Sequence, residues 1–325
     1  DRMKDRYIEA EKHRSQELEI RQRVFGPEDR STLASMSGLA WAYASQGRYD
    51  EAAELFGEAL AAQTRVLGPE HPATLETMFR LGLLHQLQYR FPASETHFNQ
   101  LLEIQRRIFG PEDRRTLLST SSLGTAIGAQ GRYPEQEELC RQVIEISRSA
   151  FGEGYPLTVI TMHDLARCLE KQRRYAEAAE VYRQSLDISR RAFGGKDRRT
   201  LIGAFGLSSL YCGLGRYDEA AETCREAVAI RRTQHGLYDR VSLLLLSRLR
   251  ATGTRLRDLG VSLYQAGDWE GAVDSFEKAG PILAEGDCHH RLFLAMAYWK
   301  CGNHNKAREA YAQAAAWFEA RKRPY

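Results

Sequence analysis

The chain is 325 residues long, with 46 Lys and Arg against 43 Asp and Glu, for a formal charge of +3. That balance argues against a protein living on nucleic-acid phosphates, which shows a clearer basic excess. No apolar run approaches the roughly 20 residues of a membrane-spanning helix, and Asp1-Arg2-Met3-Lys4 opens no signal peptide, so a cytoplasmic setting is expected.

In chain order, residues 1–25 read as one helix: Tyr7, Ala10 and Val24-Phe25-Gly26 fall in register with the second half of a helical repeat. A half-hairpin without its first helix would bare an apolar stripe. The chain is therefore expected to be a piece of a larger protein, and arginine's excess over lysine suggests a GC-rich bacterial genome.

From 26 to 236 the sequence repeats itself. Gly26, Gly68, Gly110, Gly152, Gly194 and Gly236 recur every 42 residues, and six places after each stands Thr32, Thr74, Thr116, Thr158, Thr200 or Ser242. Gly-Arg-Tyr occurs at 47–49, 131–133 and 215–217, with altered copies at Tyr89-Arg90-Phe91 and Arg173-Arg174-Tyr175. Each threonine is expected to cap a helix start by accepting from free N–H groups. Gly47 and its equivalents should close that helix in the left-handed conformation. Each period then predicts a helix of about 14 residues, a bend, and a second of about 18, five pairs in all.

The residues Leu39-Ala40, Tyr43, Gly47, Tyr49, Ala52, Phe56 and Ala59 resemble the tetratricopeptide signature. The 42-residue period, with loops such as Leu67-Gly68-Pro69-Glu70-His71-Pro72, is similar to the kinesin light chain class. The resemblance implies an all-α fold, a right-handed superhelical solenoid of antiparallel helix pairs. After Gly215 the register slips, and the next bend glycine is Gly267. Residues 237–282 are expected to form an irregular repeat with a lengthened first-helix region, one helix or two broken near Gly253. Residues 283–325 are expected to form a final pair, with Trp317 to Arg323 as a C-terminal cap.

Chemistry is sparse. Nucleophile-elbow, zincin and kinase signatures are absent, and Gly194-Gly195-Lys196-Asp197 lacks the rest of a phosphate loop. Cys288 and Cys301, at opposite ends of one helix about 20 Å long, are too far apart to share one zinc ion. His163-Asp164 has no nucleophile placed beside it. The six cysteines are expected to be buried thiols of a reducing compartment. No enzymatic activity, cofactor or metal is expected.

In the family that this chain resembles, first helices line the concave surface. The partner-binding groove is accordingly expected to contain Trp41, Phe79, Leu83, His163, Arg167, Phe205 and Ser209, with Ile160 and Ile202 beside them. Kinesin light chain-like repeats carry an Asn-Asn pair where this chain has Ser37-Gly38, Phe79-Arg80, Ser121-Ser122, His163-Asp164 and Phe205-Gly206. The grip on a peptide backbone that those asparagines supply is therefore missing. The expected function is a protein-interaction scaffold taking a peptide or helix of a partner protein, or of another domain of the same polypeptide. Two alternatives stand beside it: a sensor or regulatory segment of a multidomain kinase, protease or NTPase, and nucleic-acid binding through the arginines at 106–107, 114–115, 190–191, 198–199 and 231–232. A solvated ridge accounts for those arginines more simply, because helix C-termini favour cations. No membrane partner is expected.

Overall fold

A computed structural model describes the backbone at 2–195, 197–223, 240–283 and 288–321, with side chains there except at 2–8, 10, 240–250, 288–289 and 317–321. All regular structure in these residues is helical. The readings made at Tyr7, Ala10, Lys196, Arg231-Arg232, Gly236, Cys224, Cys288, His289 and the cap at 317–323 fall wholly or in their side chains outside the described residues. The chain divides into two compact units, Asp1–Gln172 and Arg173–Tyr325. The first holds α1 (Arg2–Phe25), α2 (Arg30–Ser45), α3 (Tyr49–Val66), α4 (Pro72–Leu87), α5 (Phe91–Phe109), α6 (Arg114–Ala129), α7 (Tyr133–Phe151) and α8 (Pro156–Lys171). The second holds α9 (Tyr175–Phe193), α10 (Arg198–Gly213), a helical stretch over 217–223, α11 (Arg240–Ala266), α12 (Trp269–Ala279), α13 (Cys288–Lys300) and α14 (His304–Arg321).

The period of 42 is local geometry. A first helix of sixteen residues (α4), a three-residue bend, a second helix of nineteen (α5) and a four-residue loop bring the chain back to its starting register. At the bends Gly47, Gly131 and Gly215 have φ of 81°, 83° and 74°, as expected. The Gly47 N–H donates to Ala44 O and the Arg48 N–H to Tyr43 O, both at 3.0 Å, which uses up carbonyls that the ending helix would leave unpaired. Tyr89 and Arg173 hold the same left-handed bend without glycine, at φ 59° and 62°.

The helix starts correct one expectation. At four of the five starts the capping acceptor is the residue three places before the threonine: Asp29, His71, Asp113 and Asp197 accept from the N–H two residues on, at 2.8–3.2 Å, whereas Tyr155 of α8 makes no such bond. The threonines are buried in the first turn, and three of them donate instead. Thr32, Thr74 and Thr200 hydroxyls bond the carbonyls of Gly26, Gly68 and Gly194 at 2.8–3.0 Å, tying each loop to the helix it feeds. An aspartate side chain reaches the free N–H from outside the helix, whereas a residue already inside the turn cannot.

In unit 1, α2/α3, α4/α5 and α6/α7 are antiparallel pairs, each packed on the next. Phe56 of α3 is fully buried and is covered by Leu81 and Leu84 of α4. Phe98 of α5 lies likewise under Leu123 and Ile127 of α6. Burying one such ring contributes about 1.5–3 kcal/mol. First helices also touch along the unit, α2 with α4, α4 with α6 and α6 with α8, whereas second helices do not pack together to that extent. The closer-set first helices therefore form the inner wall of unit 1.

Carboxylates on second helices reach the next bend. Glu11 accepts from Gln46 Nε2 at 2.8 Å and Arg48 at 2.7 Å, and Glu95 accepts from Gln130 Nε2 at 2.7 Å and Arg132 at 2.8 Å. The Gln46 bond, then Arg48, hold the Glu11 carboxyl below its ordinary range.

In unit 2 the lengthened region is one continuous helix of 27 residues, α11, with no break at Gly253. A Cβ on Gly253 would lie 2.8 Å from Ile282 Cγ2, so glycine there admits a close approach and is no kink. Phe276 of α12 is fully buried and stacks on Phe293 of α13, centroids 6.0 Å apart.

Candidate partner-binding face

The inner wall of unit 1 is built by the turns of α2, α4, α6 and α8, and burial shows which way each helix is rotated. Ser37, Ser121 and His163 share a register and are all buried. Ser37 and Thr77 hydroxyls lie 2.9 Å apart, and Ser121 and Thr161 hydroxyls 3.3 Å apart, each pair joining neighbouring first helices. These positions are seams between helices and not open wall. Of the expected groove residues, His163 belongs to the interior of the unit, with 7% of its surface exposed, whereas Trp41, Leu83, Ile160 and Arg167 stay at least partly open.

An open stripe lies beside these seams. It carries Gly38 and Trp41 on α2, Glu76, Arg80, Leu83 and Leu87 on α4, Leu118, Ser122 and Thr125 on α6, and Ile160, Asp164 and Arg167 on α8. Trp41 is half-buried, with the Arg80 guanidinium 5.9 Å from its ring centroid, and Arg80 Nε donates to Glu76 at 2.7 Å. Leu83 is half-buried against the Phe98 cluster. Phe79 packs edge-on to Phe98 at 5.6 Å, so it props the wall more than it faces outward. Leu87, Leu118 and Ile160 are exposed. Arg167 is exposed and donates to Asp164 Oδ1 at 2.5 Å. Burial pushes the Asp164 carboxyl above its ordinary range, against the opposing pull of Arg167. In unit 2, Phe205 and Ser209 of α10 are half-buried.

Arg80 and Asp164 are additions to the expected set. Both stand where the related repeats place the second asparagine of their pair, which is the signal that marks them. The face that results is apolar at several points and carries opposite charges at two.

Several arginines outside the wall are engaged elsewhere. Arg115 donates twice to Asp113, at 2.9 and 3.0 Å, and lies 3.5 Å over the Phe109 ring; Arg199 repeats this with Asp197 and Phe193. Arg107 pairs with Glu70, and Arg65 with Glu28. The first two contacts brace a loop within itself, and the last two tie the end of a second helix to the loop one repeat earlier. Cys140, Cys168 and Cys212 are buried, whereas Cys301 is exposed, contrary to the expectation of six buried thiols. His290 Nε2 sits 2.8 Å from the Phe276 carbonyl. Among the described residues no three His, Cys, Asp or Glu side chains converge on a point where a metal would sit, and no helix is long and apolar enough to cross a membrane.

Bends, antiparallel pairs and the alternation of small and aromatic residues define a helical-repeat protein of the tetratricopeptide type. The tetratricopeptide repeat profile matches residues 2–64, 42–107, 113–191 and 169–233, and a second profile of that repeat matches 291–320. The chain belongs to the tetratricopeptide repeat family. No curated protein matches the sequence significantly. Among solved structures it is similar to the nearly identical TPR-like repeats of a Podosopora anserina kinesin light chain candidate, at 27% identity and TM-score 0.54, covering 63% of this chain and 97% of that one. The apo quorum sensor NprR of B. thuringiensis is similar in fold, at 14% identity and TM-score 0.58, covering 94% and 81%. So is a Rap protein complexed with Competence and Sporulation Factor, at 14% identity and TM-score 0.53, covering 88% and 75%.

Proposed function

We propose that the chain is a protein-interaction scaffold whose inner wall, formed by the first helices, holds a peptide or helix of a partner protein. The observation that carries this reading is the open stripe of unit 1. Trp41, Leu83, Leu87, Leu118 and Ile160 offer apolar anchors on four consecutive helices, flanked by the Glu76–Arg80 and Asp164–Arg167 pairs. Apolar anchors with fixed charges beside them suit recognition of a short segment by side chains. In unit 2, Ser209 of α10 shares the register of Trp41, Leu83 and Arg167, and Phe205 that of Phe79 and His163, which support the wall of unit 1 from behind. The neighbour solved with Competence and Sporulation Factor lends this reading support by analogy of fold.

The charged groups of the stripe are paired with each other, Glu76 with Arg80 and Asp164 with Arg167, an arrangement that suits recognition. Of the ridge arginines, Arg107, Arg115 and Arg199 are paired with Glu70, Asp113 and Asp197, which weighs against nucleic acid as the partner. Buried Cys140 and Cys212 suit a cytoplasmic setting.

Affinity purification with the full chain, compared with a Trp41→Ala/Leu118→Ala/Ile160→Ala variant, tests the proposal. These side chains are exposed or half-exposed, so the fold should survive, which circular dichroism checks. The variant is expected to lose at least one partner that the wild type retains. Retention of every partner by a folded variant overturns the reading.

A further inference from the structure

The α4/α5 hairpin breaks the repeat at two facing positions. Four residues before the bend and eight after it, α2/α3 carries Tyr43 and Leu55, and α6/α7 carries Ile127 and Leu139. Both pairs join the apolar clusters of their hairpins. In α4/α5 the same two places hold His85 and His97, with ring centroids 4.9 Å apart and the planes tilted by 49°. Both side chains are half-buried.

The polar atoms of this pair are set up as ligands. His97 Nδ1 lies 3.0 Å from the Ala93 carbonyl. A carbonyl can only accept, so Nδ1 carries the proton and Nε2 keeps a free lone pair. Gln88 Nε2 donates to Asp50 Oδ1 at 3.2 Å, which fixes the amide with its oxygen turned away from the carboxylate. Neither that oxygen nor the Nδ1 of neighbouring His85 makes a hydrogen bond of proper geometry, although both atoms are buried. Leaving such atoms unpaired is costly, and an apolar pair at this place would avoid the cost. An imidazole nitrogen binds zinc at about 2.0–2.1 Å, which sets the ring centroid about 3.2 Å from the ion. Two such rings stand about 4.5 Å apart at a ligand angle of about 90°, and about 5.2 Å apart at about 109°. The observed 4.9 Å falls between these values.

We propose that His85, His97 and Gln88 Oε1 hold a divalent transition-metal ion of the zinc class, with water completing its shell. This departs from the metal-free reading of the sequence. Two imidazoles and a neutral oxygen suit zinc or copper(II), whereas calcium and magnesium take oxygen ligands throughout. The Ala93 carbonyl and the Asp50 carboxylate are then the outer partners that orient His97 and Gln88. The ion ties α4 to α5 across the bend at Tyr89, which holds its left-handed conformation at φ 59° without glycine. None of these residues lies on the open stripe of unit 1, so the site does not depend on that wall.

The test is calorimetric titration of the full chain, stripped with a chelator, with zinc chloride at neutral pH in the presence of excess magnesium. The wild type is expected to bind zinc, and saturation should raise its melting midpoint by more than about 2 °C. His85→Ile and His97→Leu restore the residues that α6/α7 carries at these places, so the fold should survive, which circular dichroism checks. Each is expected to weaken zinc binding at least roughly tenfold, while His13→Gln and His304→Gln should not. With one equivalent of copper(II) in place of zinc, electron paramagnetic resonance of the wild type should show coupling to two imidazole nitrogens, a readout that needs no variant. Unchanged zinc affinity in either folded variant, or a copper spectrum with a single nitrogen, overturns the proposal. So does an absence of zinc binding, which would leave His85 Nδ1–H and Gln88 Oε1 to each other.

Discussion

Asp164 and Arg167 face each other across one turn of α8, with Arg167 Nη2 2.5 Å from Asp164 Oδ1. The arrangement is lopsided, because the carboxylate is largely buried and the guanidinium largely exposed. Removing the arginine leaves a buried charge without its partner, which costs more than the pair contributes. Arg167→Ala is expected to lower stability at pH 7 by about 1–2 kcal/mol, discounted for the exposure of the arginine. Because the Asp164 carboxyl is already shifted up by burial, the deficit should shrink as the pH falls and the acid protonates. Asp164→Asn/Arg167→Ala should recover most of it. Urea denaturation at pH 7 and pH 5 measures both effects, and a deficit that grows at pH 5 would contradict the assignment.

His163 titrates in the opposite sense. Burial, with Arg167 adding to it, pushes the imidazole down to about 4 from an ordinary value of 6.5. The unfolded chain then takes up a proton near pH 6.5 and the folded one only near pH 4. Stability is fully present above about 6.5 and is lost as the pH falls through that window, by an amount of order 3 kcal/mol. His85, desolvated beside His97, is shifted in the same direction. His163→Gln should flatten the stability profile between pH 6.5 and 4.5, above the range where the paired carboxylates titrate. An unchanged slope would place the proton uptake elsewhere.

Tyr89 holds a left-handed bend at φ 59° where its equivalents at 47, 131 and 215 are glycines. A Cβ in that conformation costs about 1 kcal/mol. Tyr89→Gly is expected to raise stability by up to that amount, offset by the loss of the edge-on contact with Phe91 at 6.0 Å. Gly131→Ala should lower it by a comparable amount. Thermal denaturation of the two single variants should move in opposite directions.

Gly82 and Gly124 occupy one register position on α4 and α6 and should respond differently to alanine. A Cβ at Gly82 would meet the Phe98 ring at 2.9–3.1 Å, whereas at Gly124 its nearest neighbour is Leu139 Cβ at 3.6 Å, an ordinary contact. Gly82→Ala is expected to cost about 1–3 kcal/mol by displacing a fully buried ring. Gly124→Ala should be neutral or gain up to about 1 kcal/mol from helix propensity. Equal urea midpoints for the two variants would refute this reading of the packing.

Much of the molecule was legible before any coordinates. Gly47, Gly131 and Gly215 announce bends because glycine is the residue that reaches positive φ without strain, and the 42-residue rhythm then counts out helix, bend, helix and loop. Other elements resisted. The role of Thr32 was misread because a hydroxyl near a helix start suits either accepting or donating, and only the path of the loop through Gly26 settles which. The buried place of Ser37 leaves no mark in the sequence, because Ser37 and Gly38 are both small and only packing between α2 and α4 tells them apart.

Local conformation is written in single residues and their spacing, so the chain alone determined the helices, their bends, their pairing and the family they belong to. Which face of each first helix lies open depends on how neighbouring pairs rotate to seat Phe56 or Phe98, a compromise among many side chains distant in sequence. The buried places of His163 and Ser121 and the open stripe with Arg80 and Asp164 follow from that packing, and only the tertiary structure could decide them.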